Sequence, residues 1–170
     1  VTPVKPILLA CLGNGRCGDD AAALHVAGMI RDRLPEGVEL AELDDRAGAM
    51  LSELSGRQAL IVVDAVRLPE GPSQPPGEII DVDYLDPARP RLETTSVVSS
   101  HGWSVASELE LAKRLDLLPA FVRLVGVVVS DIAPHHGLSK AVRAKLPLLV
   151  ERVEQRLHEA CVSSTALECP

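Results

Sequence analysis

Three acids and one histidine carry the chemical interest of this chain. Asp19 and Asp20 stand together after a short apolar run and a glycine-rich loop. Asp64 closes a second apolar run, and His101 sits in Ser99-Ser100-His101-Gly102. Two carboxylates and an imidazole are a donor set for a divalent metal with open positions, suited to zinc-, nickel- or iron-like ions. Each residue also has a plainer use. Acids cap helix starts, an Asp after a strand makes a turn, and a lone His ahead of a helix serves as a cap or a surface group. Spacing along the chain does not by itself bring the three together.

The first loop supports a competing reading. Gly13-Asn14-Gly15-Arg16-Cys17-Gly18 fits GxGxxG between a strand and a helix, and Asp44 stands where a dinucleotide-binding Rossmann domain keeps its ribose acid. The chemistry opposes it. A pyrophosphate rests on the amides of a helix N-terminus, and here that first turn holds Asp19 and Asp20. Two unit charges ~4 Å apart at an effective dielectric of ~20 repel by roughly 4 kcal/mol; a cation between them would reverse the sign. One acid of the pair is expected to cap the helix, leaving the other for different work.

Other reactive groups point less clearly. His25 and His158 fall within helical stretches and read as surface or boundary residues. His135 and His136 either line the same rim or form a turn before Ser139. Ser99 and Ser100 lack a GxSxG elbow. Cys17 is a nucleophile, a soft ligand or a small filler.

These side chains depend on the elements around them. Apolar runs predict strands at residues 7–12, 38–43, 60–63 (with Asp64 at the carboxyl end) and 121–129. Residues 78–84 alternate like a strand with one wet face, Ile80, Val82 and Tyr84 opposite Asp81 and Asp83. Helical periodicity covers residues 19–34, with a short helix at 47–54 and a stripe of Val105, Leu109, Ala112 and Leu115. Ser139 is expected to cap a last helix whose face carries Val142, Leu146, Leu149, Val150, Val153 and Leu157, and Pro147 to kink it. Strand and helix in alternation predict an α/β sandwich with a mostly parallel twisted sheet and helices on both faces. One domain over residues 1–160 is expected, followed by a flexible tail at 161–170. In such folds ligands bind beyond the carboxyl ends of the strands, the end to which Asp20, Asp64 and His101 all belong.

Composition narrows the function. The 170 residues carry a net charge of −7, which argues against a nucleic-acid partner, and aromatics at 2% leave no base-stacking platform. No run approaches the ~20 apolar residues of a membrane span, and residues 7–12 are too short for a signal-peptide core. Cys11, Cys17, Cys161 and Cys169 show no CxxC spacing, hence neither a zinc signature nor a good disulfide framework. The cytoplasm is the expected compartment.

Taken in order, the motifs resemble those of the hydrogenase maturation proteases over residues 7–157. The landmarks are Leu12-Gly13-Asn14 with Asp19-Asp20, Ile61-Val62-Val63-Asp64-Ala65-Val66, Ser100-His101-Gly102, and Leu124-Val125-Gly126-Val127 with Pro134-His135-His136-Gly137-Leu138-Ser139. The resemblance implies a five-stranded sheet between helices and an aspartic-type endopeptidase that trims the C-terminus of a [NiFe]-hydrogenase large-subunit precursor. It further implies a metal-binding triad mapping to Asp20, Asp64 and His101, with nickel presented by the substrate. Asp20 takes a position that is Glu or Asp in the family. The family's Gly-Gly-Thr-type turn after the second strand is replaced by Leu43-Asp44-Asp45-Arg46-Ala47-Gly48, so either Asp44 or Asp45 takes the family's Asp position and the role of general base. Gly15-Arg16-Cys17-Gly18 likewise replaces a more apolar loop. Loss of that turn keeps open a non-proteolytic nickel-binding or scaffold factor of hydrogenase assembly.

Overall fold

The computed structural model describes residues 5–43, 48–66, 75–88, 105–129, 132–134 and 136–167. Strand β1 (Ile7–Leu12) lies between β2 (Val38–Leu43) and β3 (Ala59–Val66), parallel to both. Strand β5 (Phe121–Val128) runs parallel to β3 on its far side, and β4 (Ile79–Asp83) closes the edge antiparallel to β5. The order is β2-β1-β3-β5-β4. Strands covered on both faces need apolar residues at successive positions rather than alternate ones, which is why ILLACL and LIVV read so plainly.

Alternation along these strands divides the core. Leu9, Ile61, Val63, Val125 and Val127 face helices α1 (Ala22–Ile30) and α3 (Lys140–Leu167). Leu8, Ala10, Leu60 and Val62 face helix α2 (Val105–Arg114), through Leu109 and Ala112, together with Met50 and Leu54 of a short turn. The result is the expected α/β sandwich of five strands with helices on both faces. Among the described residues no helix is long and apolar enough to cross a membrane.

Several elements differ from their sequence expectation. The stretch over 19–34 divides into a 3₁₀ turn (Gly18–Ala21), α1 and a second 3₁₀ turn (Arg31–Arg33), and within 47–54 the described residues form turns with a 3₁₀ segment at Leu51–Glu53. Strand β3 runs beyond Val63, so Asp64 lies inside it instead of ending it. The cause is β5, which pairs Asp64 with Gly126, Ala65 with Val127 and Val66 with Val128. Leu115 is 53% exposed although it continues the stripe of α2. The helix stops at Arg114, where Asp116 turns left-handed (φ 56°) and lets the Leu117 N–H donate to the Ala112 carbonyl at 2.9 Å. Helix α3 begins as expected, Ser139 Oγ accepting from the Val142 N–H at 3.3 Å. It continues through Pro147 and past residue 161 to Leu167, with Ala160 and Ser164 buried.

The polar face of β4 is covered at Asp81, while Asp83 stays partly exposed beside Arg123. Asp81 points beneath α3, where Arg152 donates to its Oδ2 at 2.9 Å and Arg156 at 2.6 Å. Burial alone would raise its carboxyl; the two guanidiniums outweigh that and hold it below the usual range. A lowered acid stabilises the fold above its unfolded pKa, near 4, and the contribution disappears as pH falls through the folded value. Asp81→Asn is expected to cost about 2 kcal/mol in urea unfolding at pH 7, since the largely covered side chain loses its charge-assisted bonds to Arg152 and Arg156. The gap to the parent should close as pH falls below about 4.

Candidate active site

Strand β1 is the switch point of the sheet: the chain passes from it outward to β2, then returns to build β3 on its other side. The crevice at the carboxyl ends of β1 and β3 is where such a fold takes its ligand. Asp20 leaves the end of β1 and Asp64 lies near the end of β3, so both candidate acids flank this crevice.

The loop after β1 is built around Asp20. The Gly13 N–H donates to the Leu43 carbonyl at 3.1 Å, fastening the loop to the end of β2. A Cβ on Gly13 would stand 2.1 Å from the Asp20 carbonyl oxygen, and Gly13 has φ +156°; only glycine lets the two backbones approach this closely. The Asn14 N–H donates to Asp20 Oδ2 at 2.8 Å, and the Asp20 N–H to the Cys17 carbonyl at 2.9 Å. An amide that a phosphate would use is therefore taken by the chain's own carboxylate, which weakens the dinucleotide reading on structural grounds.

The N-cap positions of the 3₁₀ turn and of α1 fall on Cys17 and Ala21, so neither acid of the pair occupies a cap position. Asp19 is wholly buried and reaches across the fold, its Oδ1 accepting from the Ser139 N–H at 2.6 Å. It places negative charge at the positive end of α3. The backbones join there too: Cys17 bridges Pro134, and the Gly18 N–H donates to the His136 carbonyl at 3.1 Å. The segment before α3 is thus stitched to the loop of Asp20, with exposed His136 on this rim.

Asp64 shares a sheet face with Leu60 and Val62, the face that α2 covers. It is half-buried, and its Oδ1 accepts from the Ala65 N–H at 2.8 Å. Burial pushes its carboxyl up to about 7, the Asp20 charge adds to the rise, and the Ala65 N–H opposes it. Beside it, Gly126 leaves room for Val66, whose Cγ2 would lie 2.5 Å from an added Cβ.

The structure therefore sets Asp20 and Asp64 at the same end of adjacent strands, where the Asp20 charge adds a lesser share to the rise of the Asp64 carboxyl. His101, Asp44 and Asp45 lie outside the described residues, as do Ser99, Ser100 and His135. Among the described residues no three His, Cys, Asp or Glu side chains gather as a metal-holding group. His25 and His158 are exposed, in line with a surface role. Cys11 is buried with its thiol pushed up to about 12, chiefly by burial, a protonated thiol rather than a nucleophile.

One buried acid escaped sequence reading. Glu108 on α2 accepts from the Gly48 N–H at 2.9 Å and from the Leu51 N–H at 3.2 Å. A signal was present: Val105, Glu108, Leu109 and Ala112 follow helical core spacing, so a carboxylate occupies an apolar place in the stripe.

A family model described as hydrogenase maturation protease matches residues 31–156. The chain belongs to the hydrogenase maturation protease family. It is 27% identical over 164 residues to the hydrogenase 2 maturation protease of Escherichia coli (strain K12), covering 95% of this chain and 96% of that one. The hydrogenase maturating endopeptidase HybD from E. coli superposes with a TM-score of 0.75 at 27% identity, over 91% of this chain and 93% of that one. The [NiFe] hydrogenase maturation protease HybD from Thermococcus kodakarensis, 23% identical, shares the fold with a TM-score of 0.65 over 88% and 97% of the two chains. This hydrogenase maturation protease is thus a peptide hydrolase on a five-stranded, mostly parallel sheet.

Proposed function

We propose that this protease removes the C-terminal extension of a nickel-loaded [NiFe]-hydrogenase large-subunit precursor. The observation that carries the reading is the position of Asp20 and Asp64, one following β1 and the other near the carboxyl end of adjacent β3, the end at which an α/β sheet takes its ligand. Two carboxylates held side by side gain from a cation and lose without one. In this reading Asp20, Asp64 and His101 complete the coordination of the nickel that the precursor carries. Metal loading then acts as a checkpoint, because an empty precursor offers the acidic crevice nothing to grip.

Cleavage proceeds by attack of water on the scissile carbonyl. The water oxygen bonds to the carbonyl carbon, the C–N bond breaks, and the released amine takes up a proton. Asp44 or Asp45, which follow in sequence the Leu43 whose carbonyl accepts from the Gly13 N–H, supplies the general base. Alkylation of Cys17 is expected to leave cleavage intact; abolition with the fold preserved would favour an acyl-enzyme instead. The thiols of Cys11 and Cys17 suit the cytoplasm as the place of this encounter.

The test is intact-mass spectrometry of purified nickel-loaded precursor incubated with the protease. Loss of a C-terminal peptide is expected with the parent enzyme, and none with His101→Ala or Asp64→Asn. Binding with no change in mass would make the protein a nickel-recognising scaffold. Undiminished cleavage by both variants would remove these residues from the site.

A further inference from the structure

Asp19 is a wholly buried acid that the proposed cleavage does not use. It sits on the Gly18–Ala21 3₁₀ turn, one residue before half-buried Asp20. Such a turn holds three residues per revolution, so neighbouring side chains leave it about 120° apart. Whatever holds Asp19 inward therefore sets the bearing of Asp20. One partner of Asp19 belongs to the start of the last helix. Ser139 caps α3, its Oγ accepting from the Val142 N–H. In a capping box the residue at that third position is Glu or Gln, and its side chain reaches back to the N–H of the cap. Here the position holds Val142, buried in the core, and the Ser139 N–H donates at 2.6 Å to Asp19 Oδ1, 120 residues away. The box is closed by an acid from the loop that carries Asp20. Attachment of the two segments does not require it, because Ala21, Leu138 and Val142 share one apolar cluster and the Gly18 N–H donates to the His136 carbonyl. Apolar contact tolerates rotation of a turn about its axis, whereas a hydrogen bond weakens steeply once its angle is lost. A buried carboxyl is also a costly way to serve an amide that a Glu or Gln at position 142 would have served locally.

We infer that Asp19 is a positioning residue for peptide cleavage: by accepting the Ser139 N–H it fixes the rotation of the Gly18–Ala21 turn, and so the direction in which Asp20 presents its carboxylate beyond the end of β1. This deepens the proposed function and rests on its assignment of Asp20 to the site. Displacements near 1 Å at a reacting centre cost up to about a hundredfold in rate, so a turn free to rotate should be felt in cleavage even where the fold survives.

The experiment compares Asp19→Ala, Asp19→Asn and Val142→Ala in the precursor-processing assay, each at the same interval below its own Tm. Asp19→Ala removes the acceptor and is expected to lower kcat/KM by roughly ten- to a hundredfold. Asparagine keeps an oxygen for the Ser139 N–H and should stay within about threefold of the parent. Val142→Ala loosens the same junction but leaves the bond, and should retain most of the parental kcat/KM. Hydrogen exchange at Asn14, whose N–H donates to Asp20 Oδ2, should quicken in Asp19→Ala relative to the amides of β3 and keep its parental rate in Asp19→Asn. If Asp19→Ala does not fold, Asp19→Ser replaces it, since the shorter hydroxyl stops short of the Ser139 N–H; if neither folds, Asp19 is a stabilising residue only and the inference falls. A loss no greater than that of Val142→Ala, or an equal loss in Asp19→Ala and Asp19→Asn, also overturns it. If Asp20→Ala cleaves normally, the proposed site has failed instead; if Asp20→Ala is inactive and Asp19→Ala is normal, only this inference has.

Discussion

Asp64→Asn should abolish cleavage and yet raise the melting temperature of the protease at pH 8. The parent carboxyl titrates near 7 when folded and near 3.8 otherwise, chiefly because burial disfavours its charge. Between those values the folded chain binds a proton that the unfolded chain has released, so stability declines as pH rises through this window. The penalty is absent below about pH 4 and complete above about pH 7, with an upper limit of about 4 kcal/mol. Asparagine has the same shape, can accept the Ala65 N–H, and never ionises. Thermal melts across pH should therefore show the variant ahead of the parent at pH 8 and level with it at pH 4. Parallel curves would mean that Asp64 is not held against its charge. On the proposed function, nickel-loaded precursor should bind the parent more tightly as pH passes 7, since an ion held by Asp64 would have to displace whatever proton it retains. A site that weakens its own fold until its ligand arrives fits the trade of stability for activity common in enzymes.

Gly13→Ala is expected to reduce cleavage by about a hundredfold although the substituted residue bears no reactive group. The added methyl would lie 2.1 Å from the Asp20 carbonyl oxygen, so the loop must move, and the bond from the Asn14 N–H to Asp20 Oδ2 moves with it. Far-ultraviolet circular dichroism should stay unchanged, because the loop lies outside β1 and α1. Gly28→Ala provides the contrast. Gly28 lies within α1 with nothing within 4 Å of an added Cβ, and alanine there should stabilise the fold by about 1 kcal/mol with normal turnover. Equal activity in both variants would show that the close approach at Gly13 does not serve the site.

The parallel strands were legible because a strand buried on both faces is written as an unbroken apolar run, and Asp64 was legible as the charge interrupting one. Asp20 was picked out by its neighbour: two acids at one helix start have no common structural use. Asp19 shows what was hidden. Its partner is a backbone amide 120 residues away, and an interaction between a side chain and a remote amide leaves no periodicity to read. Asp81 misled for a related reason. Alternation shows that one face of β4 is polar, not what covers it, and the cover is a pair of arginines one turn apart on α3. Glu108 was visible as an anomaly in its stripe, yet the anomaly named no partner. The choice between Asp44 and Asp45 stayed open because two adjacent acids in a charged loop are equivalent by sequence.

The tie between Asp19 and Ser139 also governs when the enzyme can come into being. Its loop is completed by an amide near the start of the last helix, so a nascent chain emerging from the ribosome carries Asp20 long before it carries the group that fixes the neighbouring residue. Contacts of such sequence separation form late and slowly. The loop that carries Asp20 is therefore complete only in a chain that includes Ser139 and the start of α3.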